Sequence, residues 1–214
     1  MPVETLREVE LAYRYADLGE VRLHYVEAGE GPLLLLLHSF PQFWYEWRHQ
    51  VPALVEAGFR VVAPDMRGYY LSDKQPGVRA YRVELLARDV ERLILARGER
   101  TAEVVGHDWG DIVVRITAMR YPGRVGTLAI LNGPHPARFL EELLSPMQLL
   151  RSSYTFFFYI PWLPEGVIRD GDFALLRKPG ELRALLQRVE APLLVIWGER
   201  NRFLSQRLAE PSHL

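Results

Sequence analysis

Apolar positions along this chain come in two rhythms: short blocks that read as buried strands, and longer stretches between them whose spacing suits helices. Residues 7–15 and 21–28 are rich in aromatic and β-branched side chains and are separated by Ala16-Asp17-Leu18-Gly19, which predicts a hairpin of antiparallel edge strands. Residues 33–37 are five consecutive leucines between Gly31-Pro32 and His38-Ser39. That run is too short for a free helix, and it predicts a parallel strand buried on both faces. A helix over 44–57 closed by Gly58 and a strand over 59–63 stopped by Pro64 follow. The alternation continues with a helix over 83–96, a strand over 102–105, a helix over 112–120 ahead of Tyr121-Pro122, and a strand over 125–131. Strand and helix taking turns imply an α/β architecture, a mostly parallel sheet with helices on both faces.

The pattern breaks at Pro134. Residues 137–188 hold helix-like pieces, the aromatic stretch Tyr154-Thr155-Phe156-Phe157-Phe158-Tyr159, and Pro161, Pro164 and Pro179. A buried-strand pattern returns over 191–197, Gly198 turns the chain, and 204–210 suits the start of one more helix. The expected division is a first part of the core over 1–136, an inserted and shortened helical cap over 137–188, and a second, incomplete part of the core over 189–214. No repeat or flexible linker marks a second independent domain.

With 214 residues, 49% of them hydrophobic, the chain can bury a sizeable core. Its 26 basic and 27 acidic residues nearly cancel, so neither nucleic acid nor an anionic membrane is the expected partner, and a small neutral ligand fits better. The absence of cysteine excludes disulfides, a thiolate nucleophile and a cysteine-built zinc site. No metal or cofactor is expected. The N-terminus lacks the apolar core of a signal peptide, and no run approaches the roughly 20 apolar residues of a membrane span, so a soluble, cytoplasmic protein is expected.

The strongest chemical signal is Gly106-His107-Asp108-Trp109-Gly110, set between a predicted strand and a predicted helix. A small-x-nucleophile-x-small pattern at such a turn marks a nucleophile elbow. A carboxylate there attacks an electrophilic carbon and forms an alkyl ester. A lone Asp before a helix is usually just an N-cap; the flanking glycines and the preceding strand favour the nucleophile. His38 at the end of the leucine strand reads as a structural residue that ties its loop down by hydrogen bonds.

His38-Ser39-Phe40-Pro41 with Phe43-Trp44 and Trp47-Arg48 after it, Asp65-Met66-Arg67-Gly68-Tyr69, and the elbow together resemble the epoxide hydrolases of the α/β-hydrolase fold, over about residues 25–202. The resemblance implies conversion of an epoxide to a vicinal diol through an Asp108 ester. It implies an oxyanion hole from the backbone N–H groups of Phe40 and Trp109. It implies Tyr154 in the cap as the acid that bonds the epoxide oxygen, and a small hydrophobic substrate against Trp44, Phe156 and Phe158.

Some residues depart from the family's pattern. Asn201 stands where the family carries the acid that orients a water-activating histidine; Asn still orients an imidazole but stabilises its charge less. His213 is the one histidine after it and reads as a tail residue, so sustained turnover is not expected. An uncovered sheet edge after residue 197 would favour self-association. The cap looks abbreviated over 171–188. Ser39 replaces a family Gly and is expected to crowd its loop, while Asp111 replaces the second elbow Gly, either as a benign first-turn acid or as a like charge that raises the pKa of Asp108. Two other readings stand beside the leading one: a dehalogenase using the same carboxylate displacement, and a truncated relic or binding protein without turnover.

Overall fold

The computed structural model describes residues 3–6, 9–133 and 193–196. These form an eight-stranded sheet: β1 (Val3–Leu6), β2 (Val9–Asp17), β3 (Arg22–Ala28), β4 (Leu33–Leu37), β5 (Arg60–Pro64), β6 (Ala102–His107), β7 (Val125–Leu131) and β8 (Leu193–Ile196), in the order β1-β2-β3-β5-β4-β6-β7-β8. The first three strands are antiparallel, β3 meets β5 antiparallel, and every pair from β5 to β8 is parallel. The predicted α/β architecture is the observed one.

The leucine run shows why a parallel strand needs apolar residues on both faces. Leu33, Leu35 and Leu37 pack into one core cluster with Leu86, Val90 and Leu93 of α2 (Val83–Ala96) and with Val113 and Val114 of α3 (Trp109–Arg120). Leu34 and Leu36 point the other way, into a second cluster with Trp44, Trp47 and Val51. Each fully buried leucine contributes roughly 1.5–3 kcal/mol, so truncating one at the sheet centre weakens the layer that it faces.

Three predicted elements differ in detail. The first strand, β1, pairs with β2 in a stretch that reads from sequence only as a charged terminus; pairing with a neighbour supplies what the local pattern does not. The helix expected over 44–57 is a 3-10 helix, Trp44–His49, followed by α1 (Gln50–Glu56). Pro52 has no N–H to donate and is tolerated only in a helix's first turn, so the α-helical segment begins afresh just before it. Helix α3 begins at Trp109, directly after Asp108, three residues earlier than expected, because the elbow contains no intervening loop. Among the described residues no helix is long and apolar enough to cross a membrane.

Candidate active site

Asp108 connects the end of β6 to the start of α3 with φ 51° and ψ −108°, a backbone conformation that a non-glycine residue holds only where its surroundings impose it. The surroundings are visible. The Asp108 N–H donates to Leu131 O (3.2 Å) on β7, and the Asp111 N–H returns to Asp108 O (3.1 Å). A Cβ on Gly106 would lie 2.6 Å from a Val114 methyl and 2.7 Å from Asp111 N, and one on Gly110 would lie 2.4 Å from Leu37 O. The two elbow glycines therefore let α3 sit directly against the ends of β6 and β4, with the central side chain forced outward at the top of the sheet.

Among the described residues, the donors to the Asp108 carboxylate are backbone N–H groups. The Phe40 N–H reaches Oδ2 at 3.2 Å, and the Trp109 N–H also donates to the carboxylate. Burial of the carboxyl group pushes its pKa up to about 7, against the lowering pull of Trp109 N–H, of nearby His107 and of Phe40 N–H, while the charge of Glu46 adds to the rise. Tyr69 lies within reach of that charge: burial first, then Asp108, pushes its phenol upward, so it stays protonated.

The loop that delivers Phe40 is anchored by His38, which is fully buried. Its Nδ1 faces Ser39 O at 2.9 Å, and its Nε2 accepts the Met66 N–H at 3.0 Å. An Nδ1–H, Nε2-acceptor tautomer satisfies both, and burial holds the imidazole below its ordinary pKa and neutral. His38 thus ties the loop to the end of β5, as its position in the sequence suggests. Ser39 does not crowd this loop. Its N–H and hydroxyl both donate to Glu46, at 2.7 and 3.1 Å.

Asp111 sits beneath the elbow, fully buried, and accepts from Arg115 Nε one turn along α3; the guanidinium also donates to Gly133 O at 3.2 Å. Burial pushes Asp111 up to about 6 against the opposing charge and hydrogen bond of Arg115. With its charge answered by Arg115, the carboxylate that perturbs Asp108 is Glu46. The i,i+4 spacing of Asp111 and Arg115 was the readable signal for this pair. Glu46 and His107, 61 residues apart, offered none.

The structure brings Asp108, Phe40 and Trp109 together. It seats Trp44, a candidate substrate contact, in the second core cluster at 4% exposure, edge-on to Tyr13 and Tyr45, with its backbone N–H on Asp65 Oδ1 (3.0 Å). Its large apolar ring fills the space between the sheet and the 3-10 helix, which accounts for its burial. Tyr154, Phe156, Phe158, Asn201 and His213, with the expected cap over 137–188 and most of 189–214, lie outside the described residues.

A strand-elbow-helix nucleophile turn beside a loop-borne N–H, on a mostly parallel sheet, defines an α/β-hydrolase, and the family model for the α/β-hydrolase fold matches residues 32–177. The chain belongs to that family, and within it to the epoxide hydrolases. It is 36% identical over 240 residues to the AB hydrolase superfamily protein YfhM of Bacillus subtilis, covering 92% of this chain and 84% of that protein. It is 34% identical over 244 residues to human epoxide hydrolase 4, covering 92% of this chain and 67% of that protein. An epoxide hydrolase variant from Bacillus megaterium, solved with its naphthyloxy-propane-1,2-diol product, superposes with a TM-score of 0.72 at 36% identity, covering 77% of this chain and 58% of that one. The 240-residue alignment takes in only 92% of a 214-residue chain, so it holds gaps inside this chain.

Proposed function

We propose that this protein opens a small hydrophobic epoxide by attack of the Asp108 carboxylate on a ring carbon. A C–O bond forms to Asp108 as the ring C–O bond breaks, and the released oxygen takes a proton from Tyr154, leaving a hydroxyalkyl ester. Water then cleaves the ester at its carbonyl to give a vicinal diol and return the carboxylate, and the proton that this step releases restores the Tyr154 phenol. The observation that carries this reading is Asp108 itself: a carboxylate on a strained elbow, with no cation bonded to it among the described residues, and held by the Phe40 and Trp109 N–H groups. Those donors suit the negative charge that develops on the ester's carbonyl oxygen during hydrolysis. The diol bound to the Bacillus megaterium relative supports an aryl-substituted epoxide as the first substrate to try. The internal alignment gaps support a shortened cap, for which 171–188 is the natural place. With Asn201 in place of an acid, ester hydrolysis is expected to be the slow step.

The test is intact-protein mass spectrometry with an aryl epoxide, alongside diol analysis and an Asp108→Asn control. The expected result is one stoichiometric adduct on Asp108 that forms faster than diol is released. No adduct together with no diol would overturn the reading.

A further inference from the structure

Glu46 lies outside every motif that points to chemistry, yet it is bound to the residues just before both halves of the site. Its side chain is 16% exposed and its carboxylate takes three donors. Oε2 accepts the Ser39 N–H at 2.7 Å, and Oε1 accepts the Ser39 hydroxyl at 3.1 Å and His107 Nδ1–H in a still shorter contact. Ser39 immediately precedes Phe40, whose N–H is on the nucleophile; His107 immediately precedes Asp108, the nucleophile itself.

The contacts continue across the sheet. The amide of Asn132, just past β7, lies 3.5 Å from His107 Nε2. A chain of polar contacts therefore runs Ser39, Glu46, His107, Asn132 over the C-terminal ends of β4, β6 and β7, three strands adjacent in the sheet. Although burial opposes both charges, the mutual hydrogen bond holds Glu46 below and His107 above their ordinary pKa values, which makes the link a charge-assisted one. The family Gly position taken by Ser39 fits the same picture, since the added hydroxyl supplies Glu46 with its third donor.

We propose that Glu46 is a positioning residue: by bridging Ser39 and His107 it fixes the spacing between the loop and the elbow, and so keeps the Phe40 N–H on the Asp108 carboxylate. Three donors occupy its oxygens, so it acts through Phe40 and not on a substrate. The chemical consequence rests on the reading of Asp108 as a nucleophile; the geometric claim does not. Displacing an N–H donor from a reacting group by about 1 Å costs up to about 100-fold in rate.

The experiment pairs a geometric readout with a chemical one on the full chain. With phenylalanine amides labelled with 15N, the Phe40 signal in the wild type should follow the ionisation of Asp108 between pH 5 and 9, and Asp108→Asn should abolish that response. Glu46→Ala should at least halve its amplitude. The same variant should slow hydrolysis of the Asp108 ester formed with an aryl epoxide about 10- to 100-fold, read as the decay of the adduct by intact mass. Glu46→Gln keeps an acceptor for the Ser39 N–H and should recover most of both. If Glu46→Ala does not fold, Glu46→Asp, too short to span Ser39 and His107, should show the same loss in weaker form. An undiminished Phe40 response in Glu46→Ala, or in Glu46→Asp where that is the variant that folds, would overturn the proposal. A wild type that forms no adduct, but whose Phe40 response collapses in these variants, would uphold the positioning role and overturn the proposed function instead.

Discussion

Two residues separate Asp108 from Asp111, and the protein answers their buried carboxyl groups in opposite ways. At the mouth of the elbow Asp108 has backbone N–H donors and, among the described residues, no bonded cation. On the floor beneath it Asp111 is bonded to Arg115, which also grips Gly133 O where the chain leaves β7. Burial pushes both groups up, to about 7 and about 6. The difference lies in what else each carboxylate has to do. A carboxylate committed to a buried guanidinium is spent on structure, whereas one held only by N–H groups keeps a lone pair for an electrophile and has donors in place for the charge that follows.

The contrast breaks most visibly on the floor. Asp111→Ala leaves Arg115 buried without its partner and should cost about 3–5 kcal/mol in urea unfolding, while the double variant Asp111→Ala/Arg115→Met should recover much of that loss. Equal losses in the two variants would mean that packing, not charge, is what Asp111 contributes. Gly133→Ala probes the same floor without removing a charge. Its Cβ would lie 1.8 Å from Asp111 Oδ2, and the displacement should cost about 2–3 kcal/mol in the same assay.

Asp108 should behave in the opposite sense. Its folded-state pKa lies above its ordinary value, so the folded chain holds the proton more tightly. The stability tied to that proton is present at low pH and lost as pH rises through about 7. Asp108→Asn should therefore stabilise the protein at pH 8 by roughly 2 kcal/mol, about half the full linkage value because part of the residue meets solvent, and change little at pH 4. Thermal melts at the two pH values decide it; a variant that is destabilised at pH 8 would sink the idea of a strained, desolvated nucleophile. The smallest effect belongs to Ser39→Ala, which removes one of three donors to Glu46 and should cost about 0.5–1.5 kcal/mol in urea unfolding.

Elements with one dominant period were legible before the structure. The leucine strand, α2 and β7 carry uniform apolar or amphipathic patterns, and their observed spans coincide with the expected ones. Where two influences compete, as at Pro52 or in β1, the local pattern misled because a proline's missing donor or a partner strand decided the outcome. The elbow was readable because its constraints are local: two glycines and an aspartate within five residues. Phe40 beside Asp108, 68 residues away, was reached only through family resemblance, and Glu46 with His107 was not reached at all. Contacts of that kind are written in the topology, which places the ends of β4 and β6 side by side, and not in any stretch of sequence.

Asp108 is proposed as a nucleophile whose reactivity is set by its own ionisation in a desolvated elbow. The most direct test is the rate of Asp108 alkylation by an aryl epoxide, read by intact mass from pH 5 to pH 9. The account predicts a single adduct, absent from Asp108→Asn, whose rate of formation rises with pH and levels off with a midpoint near 7. A rate independent of pH across that range, or an adduct that persists in Asp108→Asn, would contradict it.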